Sequence, residues 1–223
     1  MIPVITIDGP SGVGKGTLAQ RLAIHLHWHY LDSGALYRAL AVAALQQGVA
    51  IDDENGLAKL AATLDIVFSI HDNDAITVTL AGKDVTQDLR TQQTANMASR
   101  VAAFSAVRNA LLQRQQSFRQ SPGLVTDGRD MGTVIFPDAN LKFFLTASAQ
   151  ERAKRRAKQL MLKGIDVNLS TLIAEITERD ERDANRVISP LKPAADAIVL
   201  DTTHLDEDAA FAETVKYVQR IKL

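Results

Sequence analysis

Gly9-Pro10-Ser11-Gly12-Val13-Gly14-Lys15-Gly16-Thr17 follows an apolar run, Pro3-Val4-Ile5-Thr6-Ile7, and precedes Leu18-Ala19-Gln20-Arg21-Leu22-Ala23-Ile24, whose apolar residues recur at helical spacing. A strand, a glycine-rich turn and a helix make a phosphate cradle. Glycines let the backbone curl until successive N–H groups point at one anion. The helix start adds unpaired N–H groups and the positive end of its dipole. Lys15 adds a full charge where β- and γ-phosphates would lie. The plainer alternative is a turn with no ligand, and the register of strand, Lys15 and Thr17 speaks against it.

The general pattern puts Ser or Thr directly after the lysine, whereas Gly16 intervenes here. This G-K-G-T form resembles the nucleoside-monophosphate kinases. The surrounding composition suits an enzyme of that kind. The 223 residues suffice for one sizeable domain with insertions, and 46% apolar with 23% charged residues predicts a packed core. A net charge of -1 argues against a generic nucleic-acid binder, and with no cysteine there are no disulfides and no thiolate metal sites. No apolar run reaches membrane-spanning length, so no membrane association is expected, and a cytoplasmic enzyme is. No apolar stripe is left over once sheet and helices are covered, which predicts a monomer.

Outward from the cradle, strands and helices alternate. Trp28 to Leu31 reads as a second strand. Asp32 or Ser33 then caps a helix from about Gly34 to Gln47, stopped by Gly48. His25, His27 and His29 lack a carboxylate at ligand spacing and read as surface residues. A short helix begins at Asp52-Asp53-Glu54 and runs through Leu64. Ile66, Phe68 and Ile70, a turn at 71–74, and Ile76, Val78 and Leu80 predict an antiparallel hairpin, with a third strand near Lys83-Asp84-Val85. This small sheet interrupts the alternation and reads as an insertion. Helices are expected over 91–103 and, capped by Ser105, to about Phe118.

Leu124-Val125-Thr126 is the third core strand and leads into Asp127-Gly128-Arg129-Asp130-Met131-Gly132-Thr133. Leu141 to Leu145 is the fourth. Charged helices over 149–163 and 168–186 are joined by 163–166, Ala197 to Leu200 is the fifth strand, and 206–221 the closing helix. The expected fold is α/β: a five-stranded parallel sheet with helices on both faces, an inserted antiparallel sheet and a helical lid. Ligands of such sheets sit beyond the carboxyl ends of the strands, where Gly9 to Thr17, Asp32-Ser33, Asp127 to Asp130 and Asp201-Thr202 collect.

Asp127 ends an apolar strand as a Walker-B-type carboxylate does, and would hold the hydration shell of Mg²⁺ with help from the Thr17 hydroxyl. Turn formation is the alternative use of such an Asp. Arg152, Arg155 and Arg156 share one helix face; Arg179, Arg182 and Arg186 share another. Alone, they read as solvated stripes with pairs such as Arg179 to Asp183. Beside a triphosphate cradle they read as charge for phosphoryl transfer on a closing lid. No guanine-reading N-K-x-D element occurs.

Four segments together, Gly9 to Thr17, Leu31-Asp32-Ser33-Gly34-Ala35-Leu36-Tyr37-Arg38, Asp127 to Thr133 and Arg179-Asp180-Glu181-Arg182-Asp183, resemble the bacterial cytidylate kinase family almost end to end. Asp127 to Thr133 is the most specific of them. The resemblance implies ATP-dependent phosphorylation of CMP and dCMP with Mg²⁺, in a single P-loop kinase domain over 1–223. Its parts would be a core (1–32, 104–151 and 187–223), a monophosphate-binding insertion (33–103), and a lid around 152–165 with its following helix to 186. Gly9, Pro10, Ser11, Gly12, Val13, Gly14, Lys15, Gly16 and Thr17 would hold ATP, with Arg152 and Arg156 approaching from the lid. Ser33, Arg38, Ser99, Arg108, Arg129, Asp130, Arg179, Asp183 and Arg186 would hold the acceptor. Lys15, Arg129 and Arg179 would serve the transfer itself. Two rivals remain at this stage: a kinase of the same core with another acceptor, such as AMP, UMP or shikimate, and a non-catalytic nucleotide switch.

Overall fold

The computed structural model describes residues 1–71, 76–162 and 164–220. The expected turn at 71–74, the link beginning at 163 and the end of the last helix at 221 fall partly or wholly outside them. Five strands form one parallel sheet: β1 (Val4–Asp8), β2 (His29–Asp32), β6 (Leu124–Gly128), β7 (Leu141–Thr146) and β8 (Ile198–Asp201), in the order β2-β6-β1-β7-β8. The second sheet is antiparallel and joins β3 (Ile66–Ile70), β4 (Ile76–Leu80) and β5 (Lys83–Asp84). Both architectures are those expected from the sequence.

All five residues of β1 are buried, as a central strand covered on both faces requires. Ile5 and Ile7 point to one side and pack with Leu18, Ala19 and Leu22 of α1 (Lys15–Leu26) and with Val215 and Val218 of α8 (Glu207–Val218). Val4 points to the other side, into a larger cluster. That cluster joins α2 (Ser33–Gln47), α3 (Glu54–Ala62), α4 (Gln92–Val101), α5 (Ser105–Gln116) and the inward residues Ile66, Val78 and Leu80 of the small sheet. The insertion thus shares the main core. A third small cluster holds α6 (Ala149–Met161) against α7 (Leu169–Ala184) through Ala153, Ala157, Leu172 and Ile176.

Two local expectations are corrected. Ser105 does not cap α5; it is the first helical residue, and the N-cap Phe104 has no side-chain oxygen to offer. Glu54 of α3 takes over the task, its Oε1 accepting from Ala106 N at 2.8 Å and from Ser105 Oγ at 3.3 Å. The Arg179–Asp183 pair is absent among the described residues, because Asp183 is bonded to Arg129 and Arg186 instead.

Candidate active site

The loop between β1 and α1 curls because its glycines, Gly9, Gly12 and Gly14, all adopt positive φ. A Cβ on Gly9 would lie 2.5 Å from the carbonyl oxygen of Leu145, so only glycine lets β1 turn away there. Gly14, the N-cap of α1, adopts a left-handed φ of 95°. The first intrahelical bond runs from Leu18 N to Gly14 O, so the N–H groups of Lys15, Gly16 and Thr17 are left for an anion. Lys15 reaches back to the Pro10 carbonyl at 3.2 Å.

The carboxyl ends of β1, β2 and β6 open onto one cleft of about 260 Å³. One side of its wall carries Ser11, Gly12, Lys15, Gly16 and Asp127. Ser33, Arg38, Ser99, Arg108, Arg129 and Asp130 stand on the opposite side, and Arg179, Asp183 and Arg186 of the α7 end complete it. Residues scattered over 176 positions of sequence thus converge, as the topology of a parallel sheet demands.

Charge in the cleft is unbalanced toward positive. Asp183 is 1% exposed; it accepts from Arg129 Nε at 2.7 Å and from Arg186. The Nε atoms of Arg179 and Arg186 are buried with no partner among the described residues. Burial, and then the Arg129 guanidinium, pull Arg179 down to about 10. Burial lowers Lys15 as well, with Arg129 adding to it. Cations held this way lack counter-charge, and a polyanion would supply it.

Asp127 carries the opposite strain. Burial and then the neighbouring Asp32 push its carboxyl up. Tyr30, a residue the sequence reading took only as part of a strand, donates from its hydroxyl to Asp127 Oδ1 at 2.8 Å. Magnesium keeps most of its waters and binds through one or two carboxylates plus phosphates, so a buried carboxylate with a second carboxylate beside it fits it. The Thr17 hydroxyl does not join this arrangement: Thr17 is exposed and lies outside the cleft wall. It lies two residues along α1 from Lys15, about 200° around the helix, so when Lys15 faces the cleft Thr17 faces away.

At the inner end, Arg108 of α5 and Asp130 are ion-paired with side chains 6% and 4% exposed. Arg108 also donates to Ala102 O at 3.2 Å, and its guanidinium lies 5.7 Å from the ring centre of Tyr37. Ser99 is buried beside them, its Oγ facing Arg182 Nη1 at 3.4 Å. On α2, Asp32 accepts from Ala35 N with one oxygen and from Arg38 Nη2 at 2.5 Å with the other, which fixes the guanidinium at the helix start. Tyr37 lines the same wall and was not singled out in the sequence. A Tyr four residues after Ser33 on one helix face was the signal available.

The lid arginines behave differently from the expectation for Arg152. Its Nη1 and Nη2 form a bidentate pair with Asp180 at 3.0 and 2.5 Å, Nη1 also donates to Ser11 O at 3.0 Å, and Nε donates to Ala147 O. Its guanidinium is therefore engaged in holding the phosphate loop's backbone and tying α6 to α7, and it lies outside the cleft wall. Arg155 makes a similar brace, to Thr202 O at 2.6 Å and Val13 O at 3.4 Å. Arg156 reaches across to Gln92 Oε1 of α4 at 3.2 Å. Gly9, Pro10, Val13 and Gly14 shape the loop from behind without lining the cleft.

The model of the cytidylate kinase family matches residues 5–220. The cytidylate kinase of Aeromonas salmonicida strain A449 is 56% identical over 220 residues, covering 99% of this chain and 95% of its own length. That of Klebsiella pneumoniae strain 342 is 56% identical over 218 residues, covering 98% and 96%. That of Shewanella amazonensis is 57% identical over 217 residues, covering 97% and 94%.

Proposed function

Because the chain belongs to the cytidylate kinase family, we propose that it transfers the γ-phosphoryl group of ATP to CMP and dCMP in the cleft between the phosphate loop and α5. The observation that carries this reading is the buried Arg108–Asp130 pair beside Ser99. Cytosine presents an N4 amino donor next to an N3 acceptor. An aspartate accepting from the first and an arginine donating to the second meet both groups, and Ser99 serves either role. Uracil reverses both groups and would leave two buried partners unmatched, a strong ground for rejection.

With the base at that end, the acceptor phosphate lies toward Arg38, Arg129, Arg179 and Arg186, and the sugar toward Asp183. The donor phosphates lie on the amides of Lys15, Gly16 and Thr17 and on the Lys15 ammonium. The acceptor oxygen is anionic near neutral pH, so no strong general base is needed. A phosphate oxygen attacks the γ-phosphorus, the bond to the β-γ bridging oxygen breaks, and ADP leaves. Negative charge spreads over the migrating group, and Lys15 with Arg129 and Arg179 offers it stabilisation already in place. Asp127 would hold the hydration shell of Mg²⁺, which when bound neutralises charge between the β- and γ-phosphates. Arg152 and Arg155 keep the loop backbone in register, and α6 with α7 covers the transfer from water. The chain acts as a monomer in this reading, since the sequence leaves no sustained apolar stripe for a partner copy.

The testing experiment is a coupled assay across CMP, dCMP, UMP and AMP with MgATP. Preference for the two cytosine acceptors supports the reading. Equal or greater turnover of UMP or AMP removes it in favour of a kinase with another acceptor.

A further inference from the structure

Arg108, Leu111 and Gln115 recur at helical spacing on α5 and are all buried, so one face of that helix looks toward the acceptor side of the cleft. Gln115 has 0% exposure and does not itself line the cleft. Its Nε2 faces Leu111 O at 3.4 Å, and its Oε1 accepts from Ser33 Oγ at 2.7 Å. Ser33 does line the cleft. A serine hydroxyl has one proton and two lone pairs. With the proton donated backward to Gln115, Ser33 shows the cleft only lone pairs. Tyr37, four residues on along α2, stands on the same wall, and its buried hydroxyl also faces the Gln115 side chain without a well-formed hydrogen bond.

We propose that Gln115 is a positioning residue that sets the hydrogen-bond polarity of the acceptor pocket through Ser33. Ser33 then accepts from an N–H or O–H of the acceptor nucleotide, a sugar hydroxyl or the base amine. A phosphate oxygen, which is mostly deprotonated at neutral pH, is not its partner. An aliphatic side chain in place of Gln115 frees the Ser33 hydroxyl to rotate and donate into the cleft, where it opposes the group it should receive. The inference rests on the reading of this cleft side as the acceptor pocket.

The test is a double-mutant cycle of Gln115→Leu with Ser33→Ala, read as KM for CMP, KM for MgATP, kcat and Tm. Gln115→Met repeats the cycle and carries it should the leucine variant fail to fold. Side chains acting as one unit couple, and independent ones add. Loss of Gln115 should raise the CMP KM about fivefold when Ser33 is present and by less than about twofold when it is Ala, with the MgATP KM unmoved. The same factor in both backgrounds, or a change confined to Tm and kcat, overturns the proposal and leaves Gln115 a structural residue. A Ser33→Ala single variant with an unchanged CMP KM overturns the acceptor-pocket assignment itself, and the proposal with it.

Discussion

Arg129 donates from Nε to Asp183 Oδ2 at 2.7 Å, across 54 positions of chain, and this contact determines what remains for Arg179. Asp183 has its second oxygen on Arg186. Arg179, four residues before Asp183 and expected from helical spacing to pair with it, lines the cleft with its Nε buried and unbonded among the described residues. Its substitution by Ala should lower turnover at saturating CMP and MgATP by about a thousandfold, the scale on which arginines act in phosphoryl transfer. A fall of less than about tenfold would remove Arg179 from the transfer step.

The Arg108–Asp130 pair makes a prediction on both stability and selectivity. Taking away one partner of a buried ion pair strands the other, at a cost of about 3–5 kcal/mol. Asp130→Ala should show that loss in urea unfolding, and in the folded protein the preference for CMP over UMP should drop by at least about tenfold, the scale of one lost buried contact. An intact preference would place the cytosine elsewhere.

Tyr30 touches no predicted substrate group, yet its hydroxyl holds Asp127. Outer partners of metal-facing groups commonly govern affinity by about 10–100-fold. Tyr30→Phe should therefore raise the Mg²⁺ concentration needed for half-maximal turnover by about tenfold. Calorimetric binding of ATP should weaken when Mg²⁺ is present and stay unchanged in chelator. Identical Mg²⁺ dependence in the two proteins would leave Tyr30 with packing alone.

Asp8 closes β1 and accepts from Met131 N at 2.9 Å and Gly132 N at 2.8 Å, binding the strand before the phosphate loop to the turn after Asp130. Burial nevertheless lifts its carboxyl to about 6. As pH rises, the unfolded chain gives up this proton first, near pH 4. The folded state therefore binds more protons between about pH 4 and 6, and stability falls as pH rises through that window. Two units correspond to roughly 3 kcal/mol. Asp8→Asn has no proton to lose, so its stability relative to the parent should improve by roughly that amount between pH 4 and 7 in urea titrations. A difference independent of pH would show that Asp8 is not perturbed.

What the sequence made legible follows the range of the interactions involved. β1, the glycine turn, α1 and the hairpin of β3 and β4 rest on local periodicity and turn chemistry, and all were read correctly as element types. The strand ends gave the rim on which Lys15, Asp127, Arg129 and Asp130 meet. Tyr30 and Gln115 escaped notice because their meaning lies in partners 97 and 82 positions away. Ser105 was misread because its neighbour Glu54 arrives from another helix. The family resemblance assigns Arg152 to ATP, and the local sequence says nothing of Asp180 and Ser11, which engage it here. In each case a tertiary partner outbid the local rule.

The proposed reaction requires one cleft to seat ATP on the phosphate loop and cytidine monophosphate on the opposite wall with the two phosphates in line. A crystal structure with CMP and a non-hydrolysable ATP analogue tests it most directly. The expected result is the cytosine edge on Asp130 and Arg108, with the CMP phosphate among Arg38, Arg129 and Arg179 and facing Lys15. A cytosine seated away from Asp130 and Arg108, or a CMP phosphate pointing away from the loop, would contradict it.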